Sequence, residues 1–198
     1  MPSQPDEKDY EEKKVLLCVL TLLFLGGYID LRYGDESSFN LEPNVPYGWI
    51  KKGENQEIPS RKGGNLNVFG LLNLAGELTS YQTTQKVDSQ MVISWIDDFA
   101  STIQKQTIIV LDNAPWHKSK VFMDRIERWE ELGLFIVYLP TYSPHLNPTE
   151  ILWRRMKYDW LKPQDYLTKE DLHNAIKHIL KNYNNDEFSI DFKTDFNC

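Results

Sequence analysis

Apolar residues along the chain change their spacing several times, and each change predicts an element. Residues 15–25 (VLLCVLTLLFL) are apolar except for Thr21. With the acidic stretch before them they predict one helix over about residues 6–25, stopped by Gly26 and Gly27. Such a helix is apolar nearly all round, so something buries it: this domain, a second copy or an N-terminal neighbour. After Gly27, Tyr28 or Ile29, Leu31 and Tyr33 alternate, which predicts a short strand ending at Asp35. Residues 40–64 are rich in Pro, Gly, Asn and charge and read as a hairpin or a long connection. Strands are predicted at 66–74 (LNVFGLLNL) and 78–83, joined by a turn at Ala75-Gly76-Glu77.

Then the period lengthens. Met91, Val92, Trp95, Ile96, Phe99 and Ile103 fall at helical spacing, predicting a helix over 88–104 with Asp88 or Ser89 as its N-cap. TIIVL at 107–111 and LFIVYL at 134–139 are continuous apolar runs of the kind buried on both faces of a sheet. Between them, residues 119–132 predict an amphipathic helix closed by Gly133, and further helices follow at 147–161 and 168–183. A meander of three strands followed by alternating helices and strands predicts an α/β domain: a mixed sheet with helices on both faces.

Composition narrows the function classes. The 198 residues are 41% hydrophobic and 26% charged, a globular composition. The net charge of −7 excludes a strongly basic nucleic-acid binder, so any such contact must come from local patches. Two cysteines, Cys18 and Cys198, exclude a disulfide-stapled scaffold. The apolar run at 15–25 is too short to cross a bilayer, which needs about 20 residues. The segment before it carries five acids against three lysines, unlike a signal peptide, so no membrane association is expected.

The chemistry that remains is acidic. The chain has no G-x-S-x-G, Walker A or G-x-G-x-x-G motif, and His173 and His178 are too differently placed on their helix to share a metal. Asp35 and Asp112 each close a predicted strand, where ligands of such sheets gather, and Glu150 sits in the first turn of the helix after the last strand. Carboxylates converging there could hold a pair of Mg²⁺ ions, which prefer oxygen ligands. Each acid also has a plainer reading. Asp35 and Asp112 could make Asx turns. Asn147-Pro148-Thr149-Glu150 has the form of a capping box.

The words around the acids are longer and more specific. YGDESSF, PYGWIKKGE, LNVFG, VLDNAPWHKS and LPTYSPHLNPTEILWRRMK occur in this order. Together they resemble the catalytic domain of DDE transposases of the insertion-sequence 630 family, relatives of the mariner elements, over about residues 28–161. The resemblance implies an RNase H-like fold and a catalytic triad of Asp35, Asp112 and Glu150, with 37 residues between the last two. It implies Mg²⁺ or Mn²⁺, two ions, as cofactor, and transposon-end and target DNA as substrate. The expected location is cytoplasmic, with the nucleoid when bound to DNA.

Neighbouring residues extend the expectation. Asn113, His117 and Arg154 are candidates for contacts behind the metals or with phosphate. Arg154 is expected beside Glu150 because residues i and i+4 share a helix face. Trp49, Lys51, Lys52, Arg61, Lys62, Lys118 and Arg155 are candidates for DNA contacts, the lysines and arginines for its backbone. Plainer readings stand beside these: a loop-satisfying histidine, a helical ion pair, a solvated loop. Trp153 and Trp160 read as core.

The expected layout is an N-terminal helix over 1–26, a catalytic domain over 27–183 and an acidic tail over 184–198. Full-length relatives carry helix-turn-helix domains before the catalytic domain, and here only a short helix precedes the first strand. End recognition is therefore expected from a partner carrying such domains, with a homodimer as the other arrangement. Two functions compete: a metal-dependent transposase that cleaves and joins DNA ends, and a non-catalytic remnant that pairs with full-length subunits and regulates them.

Overall fold

The sheet order follows from where long apolar runs can pair. In the computed structural model, which describes residues 7–42 and 63–192, strands β1 (Asp30–Phe39), β2 (Leu66–Leu72), β3 (Leu78–Thr83), β4 (Thr107–Leu111) and β5 (Leu134–Tyr138) form one sheet in the order β3-β2-β1-β4-β5. β1, β2 and β3 are antiparallel neighbours, whereas β4 and β5 add in parallel on the other side of β1. The β2–β3 turn closes as predicted, with the Gly76 amide on the Asn73 carbonyl. β4 is buried along most of its length because it lies inside the sheet with helices on both faces.

Helices α2 (Ser89–Ala100) and α3 (Lys120–Glu131) cover one face, packing Val92, Ile96, Phe122 and Trp129 on Phe69, Ile109 and Leu111. Asp97 ties these two helices together. Its carboxylate accepts from the Arg125 guanidinium at 2.9 and 2.8 Å and from the Trp129 indole at 2.7 Å. The predicted cap of α2 is Asp88, whose carboxylate accepts the Met91 amide at 2.9 Å.

The opposite face carries α1 (Glu7–Leu25), α4 (Pro148–Arg155) and α5 (Lys169–Lys181). Leu152, Trp153 and Met156 bury against Phe39, Val68 and Leu72, and Leu172, Ile176 and Ile179 of α5 complete that core. Phe188 and Phe192 close the same cluster after α5. The helix predicted over 147–161 is not one α-helix. After Arg155 the chain widens into a π-helical segment, Met156–Trp160, which swings Trp160 against Phe188 with ring centroids 5.5 Å apart. No helix among the described residues is long and apolar enough to cross a membrane.

The predicted end of the first strand is overturned as well. β1 does not end at Asp35 but continues to Phe39. Its parallel pairing with β4 stops at Tyr33, while the antiparallel pairing with β2 runs on, placing Asp35 opposite Gly70. Residues 34–38 (GDESS) have little intrinsic strand preference, and the apolar LNVFG partner supplies the pairing that holds them extended.

Candidate active site

Where β4 leaves β1, the carbonyls of β1 need new partners. The N-terminus of α4 provides them. The Asn147 amide donates to the Gly34 carbonyl at 3.2 Å and the Thr149 hydroxyl to the Tyr33 carbonyl at 2.8 Å. Asn147 also caps its own helix, accepting the Thr149 amide at 3.1 Å. Glu150 is thereby fixed one residue beyond the docking point. Its carboxylate closes no capping box, because the backbone N–H of Asn147, as distinct from the side-chain amide on Gly34, is taken by the Pro144 carbonyl at 2.8 Å.

Glycine makes the close approach of α4 workable. A Cβ on Gly70 would lie 2.9 Å from the Trp153 ring, so only a bare backbone lets α4 settle this low over β2.

Asp35, Asp112 and Glu150 line one cavity of about 350 Å³, with Asn113 and the 139–144 loop forming its far wall. A larger hollow of about 660 Å³ lies between α5 and Trp160. Two of its acids already serve caps there: Asp165 accepts the Lys162 amide and Asp171 the Thr168 hydroxyl, both at 2.7 Å. Size alone therefore does not select the site.

Electrostatics single out the smaller cavity. Burial first, then the charges of Glu150, Glu36 and Asp112, hold the Asp35 carboxyl well above the usual range. Glu150 is raised by partial desolvation and by Asp112, against the pull of Lys157. Asp112 behaves oppositely: desolvation is outweighed by His117 and by the Ala114 amide, which donates at 2.9 Å, and its pKa is lowered.

His117 is completely buried and bridges two carboxylates. Its Nδ1 lies 2.9 Å from Asp112 and its Nε2 3.1 Å from Glu36. Desolvation opposes charge on the ring, but hydrogen bonds to Asp112 and Glu36 prevail and push its pKa up to about 9. The ring is therefore charged at neutral pH and donates from both nitrogens. The 3₁₀ turn Pro115–Lys118 that carries it also brings the Trp116 indole to Glu36 at 3.1 Å.

The donor set suits a hard divalent cation: three carboxylates, with no thiol or imidazole facing the cavity. Among the described residues no three acids or histidines are drawn into a ready-made cage. The Asp35 and Glu150 carboxyls are raised first by desolvation and then by neighbouring acids, among them Asp112 for both.

The other candidates divide. Asn113 donates to the Leu139 carbonyl at 2.7 Å and so braces the cavity wall. Lys118 lies over the Tyr138 ring, 5.4 Å from its centroid. Arg154 is exposed in the groove beside Glu150, whereas Arg155 is paired with Asp159 at 2.7 Å. Trp49, Lys51, Lys52, Arg61 and Lys62 lie outside the described residues. Two residues of the site were not predicted. Lys157 is a cation lowered by its own desolvation and raised by the charges of both Glu150 and Asp35, and Glu36 anchors His117 and Trp116. The i to i+7 spacing of Glu150 and Lys157 was the available signal for the first.

Comparison with known proteins bears on the fold and the family. An insertion element IS630 uncharacterized 39 kDa protein of Shigella sonnei is 24% identical over 153 residues, 75% of this chain and 42% of that protein. The chain thus spans less than half the length of this relative. The solved catalytic domain of Mos1 mariner transposase superposes with a TM-score of 0.57 at 14% identity, covering 94% of this chain and 87% of that one. The Mos1 strand transfer complex superposes with a TM-score of 0.60 at 17% identity, covering 94% of this chain and 57% of that one. The fold is accordingly RNase H-like. The family model of DDE superfamily endonucleases matches residues 30–173. That match opens on the first residue of β1 and ends inside α5, leaving no strand of the sheet outside it, and the chain therefore belongs to the DDE superfamily endonucleases.

Proposed function

We propose that this chain is the catalytic part of a DNA transposase, cleaving phosphodiesters and joining strands at transposon ends. The observation that carries the reading is the gathering of Asp35, Asp112 and Glu150 around one cavity. These three residues would hold two Mg²⁺ or Mn²⁺ ions, and the solved Mos1 paired-end complexes with Mg and with Mn support that choice. Such ions, when bound, activate the attacking oxygen and stabilise the leaving oxygen of an in-line displacement. The chain's own residues do the positioning. His117 holds Asp112 in one orientation, and Asn147 and Thr149 hold the helix that presents Glu150. Lys157 and Arg154 offer positive charge in the adjoining groove, where a DNA phosphate would enter. Recognition of the ends is assigned to a module carrying helix-turn-helix domains.

Nicking of supercoiled DNA with Mg²⁺ tests the reading. Asp112→Asn and Glu150→Gln are each expected to lower the rate at least about a hundredfold with little change in melting temperature, and chelation should do the same to the unaltered chain. Titration calorimetry should show weakened Mg²⁺ binding in Asp112→Asn. A Glu150→Gln chain that nicks normally would leave Glu150 no role in the chemistry.

A further inference from the structure

The loop between β5 and α4 holds a conformational outlier. Two non-glycine residues among those described have positive φ, Asn184 at 67° and Tyr142 at 58°. Asparagine takes this left-handed region readily, and a bulky tyrosine does not. A strained residue persists only where its surroundings hold it, and here they do. Before Tyr142, the Leu139 N–H donates to the Leu111 carbonyl at 2.9 Å and the Leu139 carbonyl accepts from Asn113 at 2.7 Å. After it, the Leu146 N–H donates to the Ser143 carbonyl at 3.1 Å. Leu139 and Leu146 also pack in the cluster that α1 builds with Leu17 and Leu20, and the Tyr10 hydroxyl lies 3.0 Å from His145 Nε2. The fold holds Tyr142 firmly and makes little use of its ring. Tyr142 is 63% exposed between buried Pro140 and Ser143, yet it lines the cavity of Asp35, Asp112 and Glu150. We propose that the Tyr142 ring stacks on an unpaired base of the DNA strand whose phosphate lies at the three acids, an inference that rests on the nuclease reading.

Charge and stiffness select this occupant. The wall that carries Tyr142, residues 139–144 (LPTYSP), holds no charged side chain, whereas Arg154 and Lys157 lie in the adjoining groove. Phosphates are drawn to the cations, which leaves the uncharged wall to the uncharged part of a nucleotide, its base. The ring is presented ready for such a contact. A tyrosine has two side-chain torsions to fix, and its backbone is already held, so stacking costs little ordering. A paired base is covered on both faces by its neighbours in the duplex. A base freed from pairing exposes a face, and every base has one, so the contact is indifferent to sequence.

The test compares a duplex bearing a short single-stranded tail with a fully paired duplex of the same sequence. The tail carries a fluorescent adenine analogue that dims on stacking. Binding to the full chain is measured at low salt with Ca²⁺, an oxygen-seeking cation like Mg²⁺. The unaltered chain should bind the tailed duplex about tenfold more tightly and dim the analogue. Tyr142→Ala should lose both effects, and Tyr142→Phe should keep both, because the ring and not the hydroxyl makes the contact. Tyr142→Gly separates this role from a structural one. Glycine is at ease at positive φ, so this variant should melt above the unaltered chain and still lose the preference for the tail. An unaltered chain without that preference overturns the proposal, as does a preference that survives in Tyr142→Ala or Tyr142→Gly. Nicking of supercoiled DNA by the same preparations keeps the two readings apart. A chain that nicks and shows no preference for the tail retains the nuclease reading and loses this one. Dimming that depends on Tyr142 in a chain that never nicks retains the stacking contact and removes the nuclease.

Discussion

Asp35 is a carboxylate in an unfavourable place, pushed up first by burial and then by three other acids. A carboxyl whose folded pKa is raised costs stability once it ionises. The cost is absent below about pH 4, the unfolded value, grows as pH rises through the folded value and is complete above it. Asp35→Asn removes the charge and keeps the shape. The metal-free variant should therefore melt above the unaltered chain at about pH 8, with the difference shrinking as the pH falls toward about 4. Thermal melts in chelator at both pH values check this, and equal melting at the higher pH would contradict it. The three acids stood out in the sequence because they ride in long, ordered words, and the structure lines one cavity with them. Lys157 did not stand out. A helix face names both Arg154 and Lys157 as neighbours of Glu150, and only the position of β1 beneath α4 shows which of them meets Asp35 as well. Glu36 was missed because adjacent strand residues point to opposite faces. Nothing local says that a histidine from another loop will reach both Asp112 and Glu36.

Among elements, apolar runs proved readable and polar stretches did not. TIIVL became β4 with the predicted bounds, and LFIVY of the run LFIVYL became β5. The second half of β1 carries GDESS and takes its conformation from β2, a tertiary effect that no window of the sequence contains. The same strand pair gives a test of how α4 is placed. In Gly70→Ala the new methyl meets the Trp153 ring at 2.9 Å and must lift α4 or bend β2. Overpacking of this kind costs about 1–3 kcal/mol. Because Glu150 rides on α4, nicking should fall more than stability alone explains. Denaturant unfolding and single-turnover rates on the same preparation separate the two effects. Full rates in a destabilised Gly70→Ala chain would show that Glu150 tolerates displacement of its helix.

For the whole molecule the balance of charge sets the expectation for DNA. Lys157, Arg154 and Lys118 lie around the acid cavity, within a chain that is negative overall. The chain alone should bind duplex DNA with a Kd on the order of 10⁻⁴ to 10⁻⁶ M, falling steeply with salt and indifferent to sequence. Fluorescence anisotropy between low and moderate salt, with terminal-repeat and scrambled duplexes, measures both properties. A hundredfold preference for the repeat would mean that some segment of these 198 residues reads bases.

The widened turn at Met156–Trp160 bears on how relatives should be aligned. A π-helical turn closes its hydrogen bonds one residue later than an α-helical turn, so it takes up one residue more in the same place. Removing one residue there would restore α-helical winding and rotate everything beyond it by about 100°. Trp160 would leave Phe188 and Tyr183, and Leu161 would leave the core. Glu150, on the N-terminal side of the turn, would keep its place. Relatives one residue shorter at this point should therefore retain the acid and differ in the aromatic residues that follow. A gap placed between Arg155 and Leu161 will align them better than one placed near Glu150.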